Sequence, residues 1–514
     1  MTPVGIDDIA IHVPRLFLDI RDFAALREQD YAKLNRGLGL SAMAIPDRHE
    51  DTATMGANAA ARIIDRNGLD PRTIGRIYLG TESALDGSKP TATYIVEMLT
   101  ERYAPTYGPD CFRNCDVVDL TFACIGAVDA LHNTLDWVAR GGPEADRIGL
   151  VLFSDNAKYD LHSLGEYTQG AGGGAILVRH RPRLLAIPDI WGVSTTPVHD
   201  FFKPRREVAI RDLMQDVLAL AAEAGAEVAP DLLERMVASL PDSAVADRGV
   251  FSHGHQAVSL HKDTPVFDGP LSNRCYREAV REAFVDYRAR AEAVGAYDRA
   301  NDPVLTERWA RIICHLPYAF QGKRMFPDVF GFERRGLPMW ESVEAAIGAE
   351  PQPEDFTDDG DFHRVSDAHR RAISKTPEYR AFVAERIEKG QRASSLVGNQ
   401  YTGSIFLSLM STLESDLLEG ADLAGRHIGL AAYGSGAKAK VFAGVVQEGW
   451  AEVVSRFELF ERLRARQALT ADQYLALHRG VEGDSLAAPQ EEFALVDVAE
   501  TDGLVGVRRY SWVA

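Results

Sequence analysis

The sequence predicts an α/β protein of layered helices and sheet carrying two mostly helical insertions. Three observations support this expectation. Through the first 180 of the 514 residues, short apolar strands alternate with amphipathic helices, the pattern of a sheet covered by helices. The same order returns more faintly after residue 300, as a weak duplication of one α/β unit. Residues 206–263 and 326–391 are instead polar, rich in Ala, Arg, Asp and Glu, and helical in pattern, so both read as insertions or peripheral helices.

Taken in order, residues 6–13 read as the opening strand. Residues 52–67 form a helix running through Met55, Ala59 and Ile63, and 74–80 a short apolar strand. Residues 94–103 are a second helix and 116–123 an apolar strand. Residues 125–140 are a helix in which Ile125, Val128, Leu131, Leu135 and Val138 recur near a period of 3.6. A strand at 149–154 follows, and the glycine-rich run 170–174 leads into another at 175–179. In the second part 311–315 is strand-like, 401–417 a long apolar-faced helix, and 428–433 and 438–446 are strands around the turn Gly434-Ser435-Gly436. The tail is charged and helical over 458–480 and strand-like near 504–512. Between them 484–490, with Ser, Ala and Pro, reads as the most flexible link. The expected organisation is one half over 1–180, a second over 181–450 containing both insertions, and an extension over 451–514.

Composition narrows the function. With 46% hydrophobic and 25% charged residues the chain is an ordinary globular one, and its net charge of −19 disfavours nucleic acid or an anionic membrane as partner. No apolar run reaches the roughly 20 residues that span a bilayer, and no signal peptide is evident. A soluble, cytoplasmic protein is expected. Five cysteines, 111, 115, 124, 275 and 314, fit free thiols in a reducing compartment. Cys111 and Cys115 lack the second pair that a zinc site needs.

Three residues fall at the ends of predicted strands. Cys124 sits between a strand and a helix, where unsatisfied backbone N–H groups and the helix dipole favour a thiolate. Glu82 ends the strand at 74–80, in the crevice where α/β ligands sit, and a desolvated carboxylate there can act as general base. His315 closes the strand at 311–315 within Cys-His-Leu-Pro-Tyr. Taken singly, each has a plainer explanation: an inert buried cysteine, a solvated loop glutamate, a satisfied core histidine. Together a thiol, a carboxylate and an imidazole at strand ends are the parts for carbon–carbon bond formation on a thioester. Two glycine patterns point nowhere: Gly37-Leu-Gly39 follows a polar stretch rather than a strand, and 170–174 precedes a strand rather than a helix, the wrong order for cradling a pyrophosphate. No nicotinamide cofactor is expected.

Eleven stretches in order, among them YLGTESALDGSKP, FAC, SDNAKYD, HDFFKPR, HLPYAFQGKRM, VGNQYTGSIFLSLMSTLE and IGLAAYGSGAKAKVFAG, resemble the 3-hydroxy-3-methylglutaryl-CoA (HMG-CoA) synthases of the thiolase superfamily. The resemblance implies a five-layered αβαβα fold of two duplicated halves and a homodimer. It implies an acetyl-Cys124 intermediate, Glu82 as general base and His315 polarising the acceptor ketone. By the same resemblance Asn399 and Ser435 serve the oxyanions and substrate carbonyls, and Thr168, Lys323 and Tyr159 line the substrate channel. CoA thioesters, acetyl-CoA and acetoacetyl-CoA, would be substrates, with no cofactor and no metal. The chain departs from the family pattern at Ile125-Gly126 after the nucleophile, and at Phe320, where the family commonly has a lysine for the CoA nucleotide. Phosphate contacts would then fall to Lys323 and Arg324. Two other readings stay open: a synthase that takes acyl groups from an acyl carrier protein, and a non-catalytic thiolase-like subunit.

Overall fold

The computed structural model describes residues 2–240, 257–500 and 506–514. Its main sheet has ten strands: β1 (Val4–His12), β2 (Ile74–Gly80), β3 (Asp116–Leu120), β4 (Ile148–Ala157), β5 (Gly170–His180), β6 (Leu185–Ala186), β7 (Gly192–Thr195), β8 (Trp309–Cys314), β9 (His427–Gly434) and β10 (Lys438–Val446). They lie in the order β8-β9-β10-β6-β1-β5-β4-β2-β3, with β7 also paired to β10. The two-residue β6 pairs with Gly5 and Ile6 on one side and with Val445 and Val446 on the other, so it joins the strands of the first and second halves.

Apolar residues sort into four clusters among the described residues, three of which alternate with the strands of the main sheet. Outermost on the first half, helices α1 (Thr52–Asn67) and α2 (Thr91–Tyr107) pack Ile63, Ile95 and Leu99 on Ile77 and Leu150. Between the two sets of strands, α3 (Gly126–Gly141) and α5 (Ser404–Leu418) bring Leu131, Phe406 and Leu409 against Phe153, Leu430 and Phe442. On the far side α4 (Gly269–Ala293) sets Phe284 against Trp309 and Val441. Helix, strands, helix, strands, helix gives the five layers of a thiolase-like fold. Residues 404–416 of α5 are all buried, as expected of a helix enclosed on every side. Its Asp416 is held by Arg311 at 2.6 and 2.8 Å.

Local chemistry sets the element ends. Asp51 caps α1 in a reciprocal box with Thr54, and Gly68 closes the helix with φ +56°. Asp268 caps α4 by accepting from Leu271 N at 2.9 Å. Strands β2, β3 and β4 run parallel, with Gly80 level with Leu120 and Phe153. Their carboxyl ends therefore open on the same edge of the sheet.

Residues 201–267 together with 498–507 form a second compact unit. Its described part has two helices, Ile210–Glu223 and Leu232–Ala238, and the paired strands Arg205–Ala209 and Ala257–His261.

Several sequence expectations need correction. The stretch 326–391 is not peripheral: Phe326, Phe330, Trp340, Tyr379, Phe382 and Ile387 are buried in the same cluster as β8–β10. The predicted helix at 401–417 begins as a 3-10 turn, Tyr401–Gly403, and Tyr401 has φ +42°. Residues 458–480 are two short helices, Leu459–Arg464 and Ala471–His478, separated by a two-residue strand that pairs with Leu16 and Phe17. The link 484–490 is tethered rather than loose: Arg48 bonds Asp484 O, His49 bonds Ser485 Oγ, and Ala487 N reaches Asp47. The strand expected near 504–512 covers Arg508–Val513; its first residues fall outside the described ones.

Candidate active site

Parallel strands deliver their last residues to one place, and the first to arrive are Thr81 and Glu82. Asp155, wholly buried near the carboxyl end of β4, fixes them. One carboxylate oxygen accepts from Glu82 N at 2.7 Å and Thr81 Oγ1 at 3.0 Å; the other accepts from Thr402 N at 3.1 Å and Thr402 Oγ1 at 2.5 Å. A single anion thus ties β2, β4 and the 3-10 turn before α5. Thr402 Oγ1 also lies 2.9 Å from Gly80 O.

Cys124 occupies the turn between β3 and α3, two residues before the helix, and is 8% exposed. The residue before it, Ala123, has φ +40°, a left-handed conformation that L-residues rarely adopt and that costs on the order of 1 kcal/mol or more. The turn is pinned by close backbone contact. A Cβ on Gly80 would meet Ala127 N at 2.1 Å, and one on Gly126 would meet Leu120 O at 2.7 Å. Gly126, a departure from the family pattern, is therefore required by the way α3 rests on β2 and β3.

Two pairs of tyrosines surround the thiol. Tyr159 and Tyr401 have ring centroids 6.5 Å apart. Burial raises the pKa of each, and the charges of Cys124 and Glu82 raise them further. Across from them, Tyr276 and Tyr433 lie 4.8 Å apart and are raised by burial with Cys124 again contributing. Cys124 thus shares an electrostatic neighbourhood with Glu82 through Tyr159 and Tyr401, and with Tyr276, whose ring centroid lies 6.4 Å from that of His315.

His315 follows β8, which runs parallel to β9. Its backbone N donates to Ala431 O at 3.0 Å and its carbonyl accepts from Tyr276 Oη at 2.9 Å. The ring is 1% exposed, and among the described residues neither nitrogen has a hydrogen-bond partner. Burial lowers its pKa to about 3. The imidazole is therefore neutral at physiological pH and offers one N–H and one lone pair. An unsatisfied buried ring costs stability, and an incoming polar ligand atom would relieve that cost.

The remaining predicted residues divide. Asn399 is buried, but its Oδ1 accepts from Tyr401 N at 2.8 Å and Ser404 Oγ at 3.0 Å, so only its amide nitrogen is uncommitted in these bonds. Asn399 N donates to Thr168 O, and Thr168 Oγ1 donates to Gly165 O. Ser435 is the first residue of the turn after β9, which buried Asp200 clamps through Tyr433 Oη at 2.9 Å and Gly436 N at 2.7 Å. Lys323 Nζ is 3.1 Å from the Phe320 ring centroid, and burial lowers its pKa. Phe320 in turn presses on Gly39, whose Cβ would come within 2.5 Å of the ring.

Sequence reasoning gave no role to Asp155, Asp200, Tyr276 or Tyr401. Asp155 carried the same signal as Glu82, an acid at the end of an apolar run. Asp200 had no such signal, because nothing in its neighbourhood announces the turn it clamps. The tail also contributes: Tyr159 O lies 2.8 Å from His478 Nε2, and Tyr159 N donates to Gln169 Oε1.

The five-layered frame, with a cysteine between strand and helix and a glutamate and a histidine at strand ends, is that of a thiolase-like protein. Family models describe the chain as hydroxymethylglutaryl-coenzyme A synthase, N-terminal over residues 2–182 and C-terminal over 258–486. The hydroxymethylglutaryl-CoA synthase of Haloferax volcanii is 30% identical over 522 residues, covering 100% of both chains. The solved structure of MvaS in complex with 3-hydroxy-3-methylglutaryl coenzyme A matches with TM-score 0.74 and 27% identity, covering 100% of each chain. The Curacin pathway HMG synthase with acetyl donor-ACP shares the fold, with TM-score 0.70, 20% identity, and coverage of 99% and 100%. The chain belongs to the hydroxymethylglutaryl-CoA synthase family.

Proposed function

We propose that the protein condenses acetyl-CoA with acetoacetyl-CoA to give HMG-CoA. The observation that carries this reading is the convergence of Cys124, Glu82 and His315 at strand ends around four buried tyrosines. Cys124 gives up its thiol proton and attacks the acetyl carbonyl, and CoA takes up that proton as it leaves as its thiol. Glu82 takes a proton from the bound acetyl methyl, and the enolate carbon attacks the ketone of acetoacetyl-CoA. A neutral His315 donates a hydrogen bond to that ketone, and the proton taken by Glu82 is passed to the alkoxide, which becomes the tertiary hydroxyl. Water then cleaves the Cys124 thioester, releasing HMG-CoA and regenerating the thiol. Fixed donors in a water-poor site make the weakly acidic α-proton removable, and covalent capture lets both thioesters use one channel in turn.

Phe320 stands where the family commonly has a lysine, yet the Lys323 ammonium lies on its ring face. A cation is thereby retained where the CoA phosphates would need one, which favours CoA over a carrier protein as acceptor. Strand β3 ends the sheet order and its side chains are half-buried or exposed, an unpaired edge that fits a homodimer. Among the described residues no helix is long and apolar enough to cross a membrane, and none of the five cysteines is in a disulfide, in keeping with a cytoplasmic enzyme. Mass spectrometry of the products from acetyl-CoA and acetoacetyl-CoA tests the reading. HMG-CoA is expected, and its absence alongside activity on carrier-bound acetoacetate would transfer the assignment to the carrier-dependent reaction.

A further inference from the structure

A cavity of about 1120 Å³ opens where the second half of α1, the end of β1, the helix Leu459–Arg464 and the chain terminus near Trp512 meet. It shares no residue with the cluster around Cys124. Six arginines line it, Arg15, Arg62, Arg66, Arg102, Arg462 and Arg466, against three acidic residues, Asp65, Glu491 and Glu492. In a chain of net charge −19, such a concentration of guanidinium groups calls for a cause.

Four of the six have carboxylate partners. Arg15 pairs with Glu492, Arg66 with Asp8 at 2.6 Å, Arg102 with Asp65 at 2.8 Å and Arg462 with Glu458 at 2.6 Å. The other two have none among the described residues. Arg62 reaches only the carbonyl of Ile11, and Arg466 only the carbonyls of Leu463 and Leu396, leaving its Nη1 buried without a hydrogen-bond partner. Burial lowers both to about 10, and for Arg62 the charges of Arg462 and Arg66 add to the effect. An arginine remains charged at that value, so each is a cation with no direct ion pair among the described residues, and Arg62 feels Glu458 and Glu492 only from farther away.

We propose that this cavity binds a phosphorylated anion bearing at least two adjacent phosphoryl groups. Guanidinium forks match phosphate oxygens bidentately and are less costly to dehydrate than ammonium groups. One orthophosphate would fill a small part of the volume, whereas a diphosphate spans several guanidiniums. The uncommitted Arg62 and Arg466 supply the primary charge, and the exposed Arg462 stands at the rim. The lining also includes the apolar Val13, Leu463 and Trp512, so a diphosphate ester has apolar surface for its organic part.

The test uses the full chain with inorganic pyrophosphate, ADP and orthophosphate as probes, read by calorimetry and by thermal shift. Expected is one pyrophosphate or ADP per chain, weakened by salt, with orthophosphate at least tenfold weaker. Binding should drop at least tenfold in Arg466→Gln and in Arg62→Gln, and several-fold in Arg462→Gln, whose exposed side chain makes misfolding no explanation. Condensing activity without the anion should be unchanged in Arg462→Gln. ADP tighter than pyrophosphate assigns a nucleoside diphosphate, and the reverse assigns the diphosphate itself. Absence of saturable binding, binding unaffected by all three substitutions, or displacement of the anion by CoA at the Cys124 site would each overturn the proposal.

Discussion

Protonating His315 should be far harder than protonating an ordinary histidine, and the difference is large enough to measure in two ways. The ordinary imidazole value is near 6.5, and burial takes His315 to about 3. At pH 5 an ordinary histidine is roughly 97% protonated, while one with a value near 3 is roughly 1% protonated. The unfolded chain therefore takes up a proton that the folded chain refuses. Because the folded value is depressed, the stability present above pH 6.5 is lost progressively as pH falls toward 3. Linkage puts the loss between pH 7.5 and 5.0 at about 2 kcal/mol, with no discount for solvent because the ring is 1% exposed. The direct assay is deuterium exchange at the imidazole C2 position, followed by peptide mass across pH 4–9. His315 should show no midpoint in that range. The second assay compares thermal unfolding at pH 7.5 and 5.0 in the protein and in His315→Gln. The protein should lose about 2 kcal/mol more than the variant, since the other buried histidines are common to both. A C2 midpoint near 6.5, or parallel acid losses in the two proteins, would refute the argument that the site holds a neutral, unsatisfied imidazole.

Further outcomes follow from the same geometry. Cys124→Ala should abolish the single acetyl adduct seen by intact mass after incubation with acetyl-CoA; an adduct that persists would place the nucleophile elsewhere. Glu82→Gln should still be acetylated, yet lose condensation by at least about a hundredfold, measured by product formation. Asp155→Ala should lower the melting temperature and the condensation rate together, because its removal strands the backbone N–H groups of Glu82 and Thr402 and costs about 3 kcal/mol; an unchanged rate would separate Asp155 from the site. Lys323→Gln should raise KM for CoA thioesters by about three- to tenfold with kcat nearly unchanged; an unaltered KM would remove the lysine from the phosphate contacts.

The catalytic candidates were legible because each lies at a strand end, and strand ends can be read from apolar runs that stop abruptly. Glu82, Cys124 and His315 stand at such stops. What lay beyond sequence reach depends on distant contacts. Asp155 was quoted within a motif, but its bonds to Thr402 could be known only from the fold. The stretch 326–391 looked peripheral because charged residues dominate it, while the side chains that bury it, such as Phe330, Tyr379 and Phe382, are few and widely spaced. Composition likewise signalled a loose link at 484–490, where backbone tethers to Asp47 and Arg48 decide otherwise. Gly126 looked like a deviation, and only the distance to Leu120 O gives it a reason.

Asp155 and Thr402 are 247 positions apart, and this separation has a consequence for the chain as it is made. A ribosome adding 5–20 residues per second needs roughly 10–50 s to travel from one to the other. During that interval the first half can align β2 and β4, but half of the Asp155 acceptors have no donors, and water must serve them. The edge that will carry Glu82 therefore cannot close dry until the turn before α5 has emerged. Folding of the catalytic crevice is set by the arrival of Thr402, so a nascent chain stalled before that residue would present an open, hydrated edge to chaperones and proteases.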